Sequence, residues 1–235
     1  MKQLPVKRLF WLIFVLGTNL QAQVFIPFAN WQSLKNCTAT YCPTLSVTVA
    51  TLQGTAGMTQ VVNTCVDDGN TLVTFPFDFF LNDTAYRDWY FGSNAYVTAG
   101  AGSTVYTPLD ATSPALPKFM VNANDGNYQK LYTKIGTNYV RVRLEGNSAY
   151  GTCNSINTIF EITYYRTTVN YQYVQIVFGN QGVTNGAFGI ANTSTYYANT
   201  TPITANTSYV FYSYNGGKTW FILPNYSITG AGTTI

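Results

Sequence analysis

Glu145 and Glu161 are the residues best placed by type and spacing to do chemistry. Both fall in segments that alternate as strands, and a glycoside hydrolase needs two carboxylates facing each other across a sugar. Their company argues against that use. The chain has no histidine, which removes the usual general base near neutral pH and the commonest metal ligand. No serine or cysteine lies in a G-x-S-x-G setting, and none has a histidine to activate it. Asp67, Asp68, Asp83, Asp88, Asp110 and Asp125 mostly sit in turns, where aspartate belongs on structural grounds. The chain is read as a non-enzyme.

Asn122, Asn124, Asp125 and Asn127 are oxygen-bearing and closely spaced, as calcium ligands would be. Their glycine, Gly126, comes one residue early for the D-x-[DN]-x-[DN]-G loop. The stretch therefore reads as a metal-free hairpin turn, with calcium as the alternative, and no cofactor is expected. Cys37, Cys42, Cys65 and Cys153 make an even set. In an exported chain that suggests two disulfides, with three pairings open. Cys37 and Cys42 are close enough to staple a small loop, which would leave Cys65 for Cys153. Without a C-x-x-C pair or histidine, zinc is a poor alternative.

The elements that must position these groups are strands. Phe75, Phe77 and Phe79 recur at every second position in 72–98, giving one aromatic face. Residues 46–52, 60–65, 86–91, 96–98, 118–123, 128–134, 139–145, 156–166, 171–178, 208–214 and 218–223 read as further strands. Asp-Gly and Asn-Gly corners separate several of them. In 139–145 the alternation puts Val140, Val142 and Leu144 on a core face and Arg141, Arg143 and Glu145 on a wet one. Residues 99–117 are the longest loop, read as a surface excursion. The fold class is all-β, an antiparallel β-sandwich of jelly-roll-like kind. Trp89, Tyr90, Tyr106, Tyr196 and Tyr197 are candidate rings for stacking on a sugar, although strand aromatics more often serve the core.

Only 9% of the 235 residues are charged, against about 25% in ordinary soluble domains. The surface must rely on Asn, Thr, Ser, Gln and Tyr. Lys2, Lys7 and Arg8 precede the short apolar run LFWLIFVL and a small-residue region ending at Ala22. That is the pattern of a cleavable signal peptide, and the run is shorter than the roughly 20 residues needed to span a bilayer. An N-terminal assembly arm is the alternative for 1–22. Cleavage would leave nine basic against nine acidic residues, so nothing suggests nucleic-acid binding. Residues 23–70 then hold a lead-in and the first strands, 71–223 the sandwich core, and 224–235 a tail or the start of a continuation.

Four segments, FPFDF (75–79), GSNAYVT (92–98), NANDGNYQKLYT (122–133) and YVRVRLEG (139–146), resemble β-sandwich modules of two kinds. These are the secreted surface proteins of bacteria and the virion structural proteins of tailed phages. The resemblance implies a structural or adhesive role. The stretch SYNGGKTW (213–220) resembles an Asp-box, S-x-D-x-G-x-T-W, with Asn215 in the aspartate position. It implies a tight hairpin built by Ser213, Asn215, Gly217 and Thr219 with Trp220 packed beneath. Asp-boxes recur in sialidases and other propellers as scaffold away from the catalytic centre; a propeller would repeat the motif, and one copy is visible.

The expectation is thus an exported, non-catalytic surface module, structural, adhesive or glycan-binding. A phage fibre, spike or decoration subunit, and the accessory domain of a carbohydrate-active enzyme, are the alternatives. The expected partners are other protein subunits, including copies of the chain, or surface glycans.

Overall fold

The computed structural model describes residues 44–46, 48–106, 114–149, 158–167, 170–179, 186–191, 197–199, 204–224 and 227–229. All regular structure among them is strand. The first six strands are β1 Thr44–Ser46, β2 Thr59–Val62, β3 Val66–Asp67, β4 Asn70–Leu81, β5 Thr84–Gly92 and β6 Tyr96–Ala99. Next come β7 Lys118–Ala123, β8 Gly126–Tyr128, β9 Lys130–Ile135, β10 Tyr139–Glu145, β11 Ser148–Ala149 and β12 Ile159–Arg166. The last are β13 Gln172–Phe178, β14 Ala187–Ala191, β15 Tyr197–Asn199, β16 Ser208–Ser213, β17 Phe221–Pro224 and β18 Ser227–Thr229.

These strands form an antiparallel sandwich. A six-stranded sheet runs β15-β14-β7-β6-β5-β4, and a seven-stranded sheet runs β17-β16-β13-β12-β10-β9-β2. A three-stranded ribbon, β11-β8-β3, and the two-stranded β1-β18 accompany them. Within the six-stranded sheet most neighbours are also neighbours in sequence, and the chain changes between the two large sheets after β2, β7, β13 and β15. The 124–127 turn takes the second of these steps. It was expected to close a hairpin between 118–123 and 128–134, but β7 and β9 lie in different sheets. Tyr128, buried in the core with its hydroxyl 2.6 Å from Thr71 Oγ1, anchors the crossing.

The expected period of two in β4 is realised residue by residue. Val73, Phe75, Phe77, Phe79 and Leu81 are buried, while the residues between them are more exposed. They meet the inward side chains of the facing sheet, including Val140, Val142, Ile162, Tyr164, Val174 and Ile176. Tyr164 is the centre of this contact, with ring centroids 4.9 Å from Phe75, 5.3 Å from Phe79 and 5.4 Å from Trp89. Offset and edge-on pairs of this kind each contribute about 0.5–1.5 kcal/mol beyond burial itself.

The outer faces differ from expectation. Arg141, Arg143 and Glu161 point away from the core, yet all three are buried. The reason is a strap. Residues 48–58, expected to begin as a strand over 46–52, instead run across the outside of the seven-stranded sheet. Ala50 N donates to Ser208 Oγ at 2.9 Å, Gln53 N to Glu161 Oε2 at 2.9 Å, and Arg141 Nη2 to Gly54 O at 2.6 Å. The β1-β18 ribbon covers the adjoining area, with Ile228 N donating to Gln175 Oε1 at 2.7 Å. The backbone of Ala50 and Gln53 thus finds side-chain partners rather than a neighbouring strand.

The six-stranded sheet is covered in part as well. Residues 100–106 of the expected surface excursion fold back onto it, where Tyr96 Oη donates to Val105 O at 2.8 Å and Thr98 Oγ1 to Ala101 O at 2.6 Å. Residues 107–113 lie outside the described residues.

Candidate functional site

The two carboxylates singled out by spacing do converge, and what they converge on is an arginine. Register places Arg143 directly opposite Glu161 on the neighbouring strand, and Glu145 two residues along from Arg143 on the same face. Arg143 Nη1 donates to Glu161 Oε1 at 2.8 Å and Arg143 Nε to Glu145 Oε1 at 2.7 Å. One planar guanidinium is thereby shared between two acids, the geometry arginine suits better than lysine. Burial works against the Arg143 charge, but the bonds from Glu161 and Glu145 outweigh it and hold the group above its ordinary value. Arg141 completes the cluster, donating to Gln53 Oε1 at 2.6 Å. The charges balance, two against two. This is a clamp that pins the strap to the sheet; the guanidinium occupies the place between the carboxylates where a sugar would have to sit.

The hairpin between β16 and β17 carries the Asp-box-like residues. Asn215 Oδ1 accepts from Thr219 N at 2.9 Å and from Ser213 Oγ at 3.0 Å, while Asn215 Nδ2 donates to Thr219 Oγ1 at 3.2 Å. Ser213 Oγ in turn accepts from Gly217 N at 3.0 Å. Trp220 is buried beneath, its indole N–H donating to Gly217 O at 3.0 Å and its ring 5.5 Å from Phe119. The asparagine amide therefore fills the aspartate's place by accepting with its oxygen. The hairpin also locks the edge of the other sheet, because Gly217 O accepts from Asn82 N at 2.8 Å.

Gly217 is required twice over. Its φ is 76°, in the left-handed region, and a Cβ there would overlap the carbonyl of Phe80. Gly217→Ala is expected to lower stability by about 1–3 kcal/mol, as overpacking does. Thermal unfolding of the variant checks this, and an unchanged midpoint would contradict the docking.

The candidate stacking rings are scattered. Trp89 is fully buried in the core and cannot meet a ligand. Tyr90 is half-buried on the outer face of β5, opposite Leu72, and Tyr106 is exposed. Tyr196 and the side chain of Tyr197 lie outside the described residues.

An aromatic row that spacing alone did not reveal crosses the seven-stranded sheet instead. Register aligns Tyr139, Tyr165, Tyr173, Tyr212 and Phe221 on five successive strands. Tyr214, exposed at the hairpin, stacks on Phe221 at 5.6 Å. The signal was present in each strand as an aromatic on the face opposite the core, but only pairing brings the five into one line. Burial pushes the Tyr173 phenol far up, helped by Tyr171, Tyr212 and Tyr165, and raises Tyr212 to about 12, helped by Tyr214.

The three asparagines considered for calcium are used as hydrogen-bonding amides, with Asn122 and Asn127 buried. Asn122 Nδ2 donates to Asn147 Oδ1 at 3.1 Å, Ser148 Oγ donates to Asn127 Oδ1 at 2.6 Å, and Asn124 Nδ2 bonds Asn122 O. Asp125 is exposed; desolvation, then the carboxylates of Asp68 and Asp67, raise it above the ordinary carboxylate range. Among the described residues no group of three or more His, Cys, Asp or Glu could hold a metal ion.

Cys65 is disulfide-bonded, and Cys37, Cys42 and Cys153 lie outside the described residues. No helix among the described residues is long and apolar enough to cross a membrane. Compared with known proteins, the chain matches no family model, no curated protein and no solved structure.

Proposed function

We propose that this chain is a non-catalytic, exported β-sandwich protein that serves as a structural or adhesive surface module. The observation that carries the reading is the fate of Glu145 and Glu161. The pair best suited to hydrolysis is shared by Arg143 beneath the strap and holds architecture together. Among the described residues the other charged pairs, Arg87 with Asp78 and Lys218 with Asp83, are exposed. What remains for a partner is a neutral hydrogen-bonding surface with exposed rings such as Tyr106 and Tyr214. Other protein subunits and surface glycans are the partners such a surface suits.

Export is supported by the leader-like residues 1–22 and by the disulfide at Cys65, since disulfides persist in oxidising compartments. Of the three pairings, the short spacing of Cys37 and Cys42 favours a bond between them, which would leave Cys65 for Cys153. Intact mass of the secreted chain without reductant is expected to give a start at Gln23 and two disulfides. A chain that keeps Met1 would overturn export and favour a virion arm. A glycan array paired with a hydrolysis screen tests the rest: binding without turnover supports the module, and turnover ends it.

A further inference from the structure

Asn215 is followed by Gly216, the neighbour that least hinders attack by the main chain on an asparagine side chain. We infer that Asn215 is a deamidation site held closed by the fold, and that its aspartate product rebuilds the same hairpin. The reaction is written in two steps. Gly216 N gives up its proton and bonds to Cγ of Asn215; the Cγ–Nδ2 bond breaks, and ammonia leaves carrying that proton. Water then adds to one of the two carbonyls of the five-membered ring and opens it to aspartate or isoaspartate at position 215.

The native hairpin opposes the first step with every bond it makes. Asn215 Oδ1 is held by Thr219 N and Ser213 Oγ at 2.9 and 3.0 Å, and Nδ2 is held by Thr219 Oγ1 at 3.2 Å. Gly216 N, the nucleophile, donates to Asn170 O at 3.3 Å. Turning Cγ toward Gly216 N breaks the side-chain bonds, and freeing the nucleophile breaks the fourth. Opening the hairpin removes the obstruction.

The two products meet different fates. An aspartate keeps one oxygen for Thr219 N and Ser213 Oγ. Its second oxygen replaces Nδ2 beside Thr219 Oγ1, and a hydroxyl that accepted there can turn and donate. The result is the full Ser-x-Asp-x-Gly-x-Thr-Trp pattern. An isoaspartate instead routes the main chain through the side chain, adding a methylene to a turn already closed by Gly216 at φ 68° and Gly217 at φ 76°. The hairpin therefore accepts the first and rejects the second.

Peptide mapping of the whole chain after incubation at mildly alkaline pH, native and in urea, tests this. Asn185–Gly186, the chain's other Asn-Gly pair, serves as the clock in urea. Asn215 is expected to react at the Asn185 rate in urea and at least about tenfold more slowly in the native chain, as the loss of two of these hydrogen bonds implies. Ser213→Ala is expected to speed the native reaction several-fold, and Asn215→Asp to leave the thermal midpoint unchanged. Equal native and denatured rates at Asn215, or an Asn215→Asp chain that loses its cooperative transition, would overturn the inference. If Ser213→Ala does not fold, those two comparisons decide it alone.

Discussion

Arg143→Ala is expected to lower the unfolding free energy by about 3–5 kcal/mol, the cost of leaving buried carboxylates without their cation. Glu161 loses its partner at 2.8 Å and Glu145 its partner at 2.7 Å. The side chain of Glu161 is only 3% exposed, so water cannot take the arginine's place. The strap also loosens, because Gln53 N is bonded to the same Glu161 carboxylate. Urea denaturation measures the effect as a lower midpoint. Lys218→Ala is the control: its pair with Asp83 is more than half exposed on both sides, and exposed pairs contribute about 0–1 kcal/mol. Replacing Arg143, Glu145 and Glu161 together by apolar residues of similar size is expected to cost far less than Arg143→Ala alone. If the single variant keeps the parent midpoint, the clamp has no energetic role.

Alkaline solution is expected to unfold this protein cooperatively. Burial holds Tyr164 well above the ordinary phenol value of 10.0. Tyr173 is raised by burial and its tyrosine neighbours, Tyr212 reaches about 12, and Tyr96 and Tyr128 are shifted up by burial as well. The sign follows from which state keeps its protons. Below pH 10 both states hold them, and the stability from these buried phenols is fully present. Above 10 the unfolded chain releases protons that the folded chain retains, so stability falls as pH rises toward and beyond 12. Phenolate absorbance followed against circular dichroism should show the buried tyrosines ionising in one step with loss of structure. Gradual ionisation centred at pH 10 with the strand signal intact would show that the aromatic row is open to water.

Strand alternation was legible because it is a property of consecutive residues. The inward set of β4, the core face of β10 and the 213–220 hairpin all follow from side chains within a few positions of each other. The 46–52 segment shows where such reading stops. Its alternation is real, but nothing local says whether its backbone meets a strand or side chains such as Ser208 and Glu161. The same gap hid the crossing at 124–127, since a turn of Asn, Asp and Gly looks alike whether the chain returns to its own sheet or passes to another.

Composition and period by themselves determined an all-β chain with aromatic faces, polar corners and few charges, because each strand's two faces are written into odd and even positions. Only tertiary structure decided that Arg141, Arg143 and Glu161 lie under a strap, that Trp89 serves the core, and that five aromatic rings stand in one row. Those outcomes depend on which remote segment covers a face and on the register between strands, and a shift of one residue in that register would have sent every side chain to the opposite side.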